Sequence, residues 1–168
     1  FGDNMVLQRD MEVIVWGTAD PGGLILVSIN NHQAETEVDE NGKWMLKLPP
    51  MEAGGPFEFT VEGSEDTTFT NVMIGDVWVA SGQSNMEWPL QATVDNYEEE
   101  IANATYPNIR LFDVERDLST VELNQLRNPV AWSVCNPETI PDFSAVAYFF
   151  GRDLHQEYDI PIGLISSS

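Results

Sequence analysis

Gly75-Asp76-Val77-Trp78-Val79-Ala80-Ser81-Gly82-Gln83-Ser84-Asn85-Met86-Glu87-Trp88-Pro89-Leu90 changes rhythm within one short stretch. Asp76 to Ala80 is nearly continuously apolar, as expected of a strand covered on both faces in a parallel sheet. Gly82 permits a sharp turn, and a helix start comes next. Ligands of open parallel sheets bind at the carboxyl ends of the strands, which is where Ser84 falls. The pattern leaves two readings of that serine open. Ser84-Asn85-Met86-Glu87 is Ser-x-x-Glu, a capping box in which the serine caps the helix and Glu87 reaches back to it. Alternatively the turn pushes the hydroxyl outward as a nucleophile, and the backbone N–H of Ser84 stabilises a developing oxyanion. The Gly-x-Ser-x-Gly elbow of α/β-hydrolases is not matched, because Met86 stands where its last glycine would be.

Working outward, residues 109–114 and 160–165 have the same apolar character as residues 76–80. Phe143, Val146, Ala147, Phe150 and Leu154 recur at i, i+3, i+4, i+7 and i+11, which predicts a buried helix face. Asp142 is the expected N-cap, and Pro161 lies past the helix end. Strand and helix in alternation open an α/β domain. Upstream the rhythm differs. Trp44, Leu46 and Leu48 alternate with Lys43 and Lys47, and Phe57, Phe59 and Val61 with Glu58, Thr60 and Glu62, as in half-buried antiparallel strands. Further strands are expected over 13–16, 24–29, 32–38 and 67–72. Asp20-Pro21-Gly22-Gly23 reads as a turn, and Asn41-Gly42 as the tip of a tight hairpin. The expected fold is a β-sandwich over residues 1–73 followed by the first part of an α/β parallel-sheet domain over 74–168.

Composition limits what such a chain can bind. It has 168 residues, 28 Asp and Glu against 7 Lys and Arg, and a net charge of −21. Hydrophobic residues make up 42%, so the composition is globular and not that of an acidic disordered tail. Nucleic acid is excluded as a partner because phosphate binding needs clustered Lys and Arg. Anionic membrane surfaces are disfavoured on the same ground, and no apolar run is long enough to span a bilayer. Glu98-Glu99-Glu100 reads as a solvated helix face. The single cysteine, Cys135, rules out an internal disulfide and any Cys-x-x-Cys zinc site; beside Val134 and Trp132 it reads as a core residue.

The stretch from Gly75 to Leu90 resembles the nucleophile block of the sialate O-acetylesterase family, within the SGNH hydrolases. Three other stretches are similar to the same family, in the family's order: Asp3 to Arg9, Phe143 to Arg152, and Ile160 to Ile165. The resemblance implies a β-sandwich ahead of an SGNH-type α/β esterase domain, with Ser84 as the acyl nucleophile. It further implies removal of O-acetyl groups from a carbohydrate, sialate being the substrate in the family's name, with neither metal nor organic cofactor. Gln83, Met86 and Trp88 flank the serine and could line the sugar pocket or simply pack.

A serine nucleophile needs a base, normally a histidine oriented by a carboxylate. The family takes it from an Asp-x-x-His block near the C-terminus of a longer chain. His32 reads as an exposed strand residue, and His155, in Asp153-Leu154-His155, as a solvated helix residue. The chain is therefore expected to be an N-terminal piece whose partner is the remainder of the esterase domain, and to be inactive alone. An acidic surface slows an anionic sugar unless an arginine compensates; Arg110, Arg116, Arg127 and Arg152 are the candidates. Acetylated neutral polysaccharide such as xylan is the alternative substrate, and a non-catalytic carbohydrate-binding fragment the alternative of another class. Export to a periplasmic, extracellular or lysosomal-type compartment is the expected localisation.

Overall fold

The computed structural model describes residues 1–168 apart from 94, 118, 124 and 129. The chain divides into two compact units, Phe1–Gly75 and Asp76–Ser168. It is mostly strand, in mixed parallel and antiparallel pairing, with few helices.

The first unit contains β1 (Val6–Gln8), β2 (Val13–Thr18), β3 (Leu24–Ile29), β4 (His32–Glu37), β5 (Lys43–Leu48), β6 (Gly54–Glu62) and the beginning of β7 (Thr67–Ser81). Antiparallel pairing runs in the order β4-β3-β6-β7, β1 lies parallel to Met73–Gly75 of β7, and β2 pairs with β5 alone. The alternation read from β5 holds: Trp44, Leu46 and Leu48 are buried while Lys43 and Lys47 are exposed. Val15, Val27 and Phe59 are fully buried, and each such side chain contributes about 1.5–3 kcal/mol.

Turn chemistry sets the connections. Gly23 N–H donates to Asp20 O at 3.1 Å with Gly22 at φ +77°, a type II turn in which Pro21 presets the first central residue. The hairpin expected at Asn41-Gly42 is not one. The turn there is tight, but β4 ladders with β3 and β5 with β2, so it joins strands of different pairings. The two-residue hairpin lies instead at Asn30-Asn31, both left-handed (φ 46° and 62°), directly between the paired Ile29 and His32. Asp39 Oδ1 holds the Asn41-Gly42 turn by accepting from the N–H groups of Asn41 and Lys43, each at 2.8 Å. The Lys43 N–H is the main reason its carboxyl titrates below the ordinary 3.8; desolvation opposes it, and the Asn41 N–H adds to it. A depressed carboxyl stabilises the fold above its unfolded pKa, and the contribution fades as pH falls through the lower folded value. Asp39→Ala is therefore expected to melt at lower temperature at pH 7, with the gap narrowing as pH drops below 3.8. Thermal melts between pH 2 and pH 7 test this; coincident curves at pH 7 contradict it.

The second unit holds the Asp76–Ser81 part of β7, α1 (Ser84–Glu87), a 3-10 turn (Leu90–Ala92), α2 (Tyr97–Asn103), β8 (Tyr106–Asp113), β9 (Ser133–Cys135), α3 (Ala145–Tyr158) and β10 (Ile162–Ser167). β10 lies between β7 and β8, parallel to both, and β9 adds antiparallel to β8. Ile162 and Leu164 of the central strand are fully buried, with Ile109, Leu111, Tyr148 and Cys135 in the same core.

Three expectations fail here for identifiable reasons. Asp142 does not cap α3: the helix begins later, Ser144 Oγ accepts from Ala147 N–H at 3.3 Å, and Asp142 takes the Gln91 side chain at 2.5 Å. The helix face is also rotated. Val146 and Phe150 are 46% and 44% exposed, while Ala145, Ala147, Tyr148 and Gly151 are buried. Gly151 lets the helix press on Leu164, and the Tyr148 hydroxyl is satisfied by Glu100, so a glycine and a phenol replace the anticipated Val and Phe. Finally, β7 is not covered on both faces: Val79 is 66% exposed, and Trp78, 44% exposed, meets the Phe150 ring edge-on at 5.1 Å. Glu98 and Glu99 are solvated as read, but Glu100 is not, since it accepts from Tyr148 Oη at 2.8 Å and Arg152 at 2.7 Å.

Candidate active site

The carboxyl ends of the three parallel strands meet at one edge of the second unit. Ser167 registers with Ser81, and Ser166 with both Ala80 and Asp113. From Ser81 the chain passes through Gly82 and the extended Gln83 (φ −112°, ψ −165°) into α1, whose first residue is Ser84. The N-cap position thus belongs to Gln83, and no side chain caps the helix. The capping-box reading fails: Glu87 does not reach back but pairs with Arg116, from the segment after β8. Ser84 is exposed, and no acceptor engages its hydroxyl among the described residues. Its backbone N–H is one of the donors that a helix start leaves unsatisfied.

The chain beyond Ser84 is fastened to the start of α3. Ser144 Oγ donates to Met86 O, Ala145 N–H to Trp88 O at 3.0 Å, and Leu90 N–H to Phe143 O at 3.0 Å. The α1 turn is short, and these bonds fix it to a long buried helix. Ser144 is 3% exposed, so this anchor lies inside the core. Of the proposed pocket residues, Met86 is drawn into that anchor, its sulfur 3.6 Å from Ser144 Oγ. Gln83 is exposed at the turn, and Trp88, 51% exposed, borders a shallow hollow with Glu87, Pro89 and Ala92.

Two clefts take residues from either side of Ser84 in the chain, one Gly82 and the other Glu87. One, of about 620 Å³, is lined by residues that include Gly82, Arg116, Asp117, Arg127, Ser167 and Ser168. The other, of about 290 Å³, is lined by residues that include Glu87, Asp113, Arg116, Ser144 and Ser166. Ser84 stands beside them and not among their lining residues. Sequence reading named Arg116 as a candidate without placing it, and missed Glu87 and Asp113 as neighbours of this site. The available signal was that loops following parallel strands converge at one edge.

The four arginines separate clearly. Arg110 is 2% exposed, its Nε donates to Pro107 O at 3.0 Å, and burial lowers its pKa to about 10. Arg152 lies over the Phe149 ring at 4.8 Å. Burial opposes its charge, but hydrogen bonds to Asp153 and Glu100 outweigh that and raise its pKa. Of the four, Arg116 and Arg127 line the clefts, and each carries a carboxylate partner, Glu87 and Asp117 (the latter at 3.0 Å). Cys135 is 1% exposed and burial pushes its thiol up to about 12, which fits a core residue. His155 on α3 gives its Nδ1 proton to Ile160 O at 2.7 Å and stacks edge-on against Tyr106, so a backbone carbonyl orients it and not a carboxylate. His32 lies half-buried in β4 of the other unit. Among the described residues no cluster of three or more His, Cys, Asp or Glu could hold a metal, and no helix is long and apolar enough to cross a membrane.

The fold of this chain is shared with an acetylesterase of known structure. The structure of a carbohydrate acetylesterase from Xanthomonas citri superposes with a TM-score of 0.94 at 36% identity, over 99% of this chain and 38% of that one. The chain is also 35% identical to the sialate O-acetylesterase of Mus musculus over 98% of its length, and 34% identical to that of Homo sapiens over 99%. It spans only about a third of those relatives, 34% and 35% respectively. No family model matches it. The resemblance read from the motifs is borne out: nearly the whole of this chain aligns with about a third of the sialate O-acetylesterase sequences.

Proposed function

We propose that this chain carries the nucleophile-bearing part of a carbohydrate O-acetylesterase, with residues 1–73 as a β-sandwich domain and 74–168 as the first part of an SGNH-type hydrolase domain. The observation that carries the reading is the exposed Ser84 at the end of a parallel strand, inside the motif that the acetylesterase likeness spans. Ser84 Oγ attacks the acetyl carbonyl, the C–O bond to the sugar breaks, and the sugar hydroxyl leaves with a proton. Water then hydrolyses the acetyl-enzyme to acetate and restores the serine. The Ser84 N–H is a donor for the oxyanion; α1 is too short for its dipole to matter, so the N–H itself does this. Gln83 and Trp88 border the approach to the serine. The base and its orienting carboxylate are contributed by the remainder of the esterase domain, because His155 packs against Tyr106 and Ile160 at the amino ends of β8 and β10, whereas Ser84 follows the carboxyl end of β7. The partner is an O-acetylated carbohydrate, and no cofactor takes part.

Charge favours a neutral substrate over acetylated sialate. The net charge is −21, and both arginines in the flanking clefts already hold a carboxylate. Acetate release by the full-length protein from acetylated xylan and from O-acetylated sialate, at low and at roughly 0.5 M salt, tests this. Xylan turnover is expected to be the faster and insensitive to salt, and sialate turnover to rise with salt as repulsion is screened. Faster sialate turnover at low salt rejects the neutral-sugar preference, and no acetate release from either substrate rejects the esterase reading.

A further inference from the structure

The first unit contains a cleft of about 680 Å³ that the esterase chemistry does not use. That volume is ordinary for a site that takes a small ligand, roughly 300–1,000 Å³. Its apolar wall is Trp16, 57% exposed, steadied edge-on by Phe1 at 5.0 Å between ring centroids. Its floor is Trp44, 8% exposed. The Trp44 ring lies against the backbone of Gly17, its register partner across β2 and β5; a Cβ at Gly17 would come within 2.6 Å of it. Among the described residues no acceptor meets the Trp44 indole N–H, and none of their side-chain nitrogens or oxygens is both sealed and unpartnered, so this donor is reachable from solvent. The rim is polar: Thr18, Asp20, Ser64, Glu65 and Thr67.

We propose that this cleft is a binding site for a neutral sugar, a pyranose unit of an uncharged glycan, whose C–H face lies on Trp16 and whose hydroxyls meet Asp20, Glu65 and the Trp44 N–H. The chemistry selects that ligand by elimination. No Lys or Arg lines the cleft and two carboxylates do, so an anionic sugar is repelled. A cation would suit the ring and the carboxylates but leaves the Trp44 N–H facing another donor. A sugar hydroxyl both donates and accepts, so it satisfies the carboxylates and the indole together. The inference stands on the cleft alone and does not depend on Ser84.

Native gel electrophoresis of the full-length protein in gels containing soluble xylan, glucomannan or polygalacturonate tests it. Retardation by a neutral polysaccharide is expected. Trp16→Ala should weaken it at least about tenfold with an unchanged circular dichroism spectrum, since an exposed ring contributes little to folding. Gly17→Ala, which displaces the Trp44 ring without removing a contact group, should also weaken it. Ser84→Ala should be retarded as the unaltered chain is, so failure of the esterase reading and failure of this one are distinguishable. Equal retardation of Trp16→Ala, stronger retardation by polygalacturonate, or none by either neutral polymer overturns the proposal.

Discussion

Replacing Ser84 by alanine is expected to lower kcat for acetyl-ester hydrolysis by roughly 10⁴- to 10⁶-fold in the full-length protein, with KM little changed. The size of the loss comes from the role. Without the hydroxyl there is no acetyl-enzyme, and only water attack assisted by the remaining oxyanion donors is left. KM is spared because Ser84 is exposed at the head of α1 and its side chain makes no contact that holds the site together. The anchor of that turn is Ser144, through Met86 O, and it is untouched by the substitution. His155→Ala is the contrasting variant. His155 lies at the amino ends of β8 and β10, the opposite end of the parallel strands from Ser84, so kcat is expected to stay within about threefold of the unaltered protein. Steady-state kinetics on p-nitrophenyl acetate checks both. A Ser84→Ala protein that retains a hundredth of the activity removes the serine from the reaction, and a His155→Ala protein that loses activity in parallel restores that histidine as the base.

The parts of this molecule that can be read in advance are those fixed by local spacing. β5 announces its buried face because Trp44, Leu46 and Leu48 alternate with two lysines, and nothing distant can move a period of two. The turn ahead of Ser84 is legible for the same reason, since an apolar strand, a glycine and a helix start succeed each other directly. The illegible parts depend on partners far along the chain. Glu87 has the spacing of a capping box, and only the arrival of Arg116 from beyond β8 decides that it turns outward. Asn41-Gly42 has the composition of a hairpin, yet its flanking strands find different neighbours; Asn30-Asn31 looks weaker and is the hairpin. The phase of α3 is misread when apolar residues are equated with buried ones. Phe150 and Val146 face outward, while Tyr148 is buried because Glu100, on another helix, satisfies its hydroxyl. Propensity names an element, and the tertiary partner chooses its face.

That last contact leads to a second large effect, at the seam between α3 and the central strand. Leu164 is fully buried in β10, which is held on both sides by β7 and β8 and so cannot retreat. Leu164→Ala is expected to cost about 2–5 kcal/mol, the loss of burial plus a cavity that a strand paired on both edges cannot collapse to fill. Gly151→Ala sends its Cβ into the same side chain: Leu164 Cδ1, Cδ2 and Cγ would lie at 2.6, 2.8 and 3.0 Å. Alanine gains about 1 kcal/mol over glycine in a helix interior, but overpacking at such distances costs about 1–3 kcal/mol, so the single variant is expected to be less stable. In the double variant the clash is gone, the new methyl occupies part of the space left by the leucine, and the helix preference remains. The two substitutions should therefore be coupled, with the double variant more stable than the sum of the singles by at least about 1 kcal/mol. Urea unfolding of the four proteins measures it. Additivity within about 0.5 kcal/mol would mean that α3 can slide away from β10 and that Gly151 is not what holds them together.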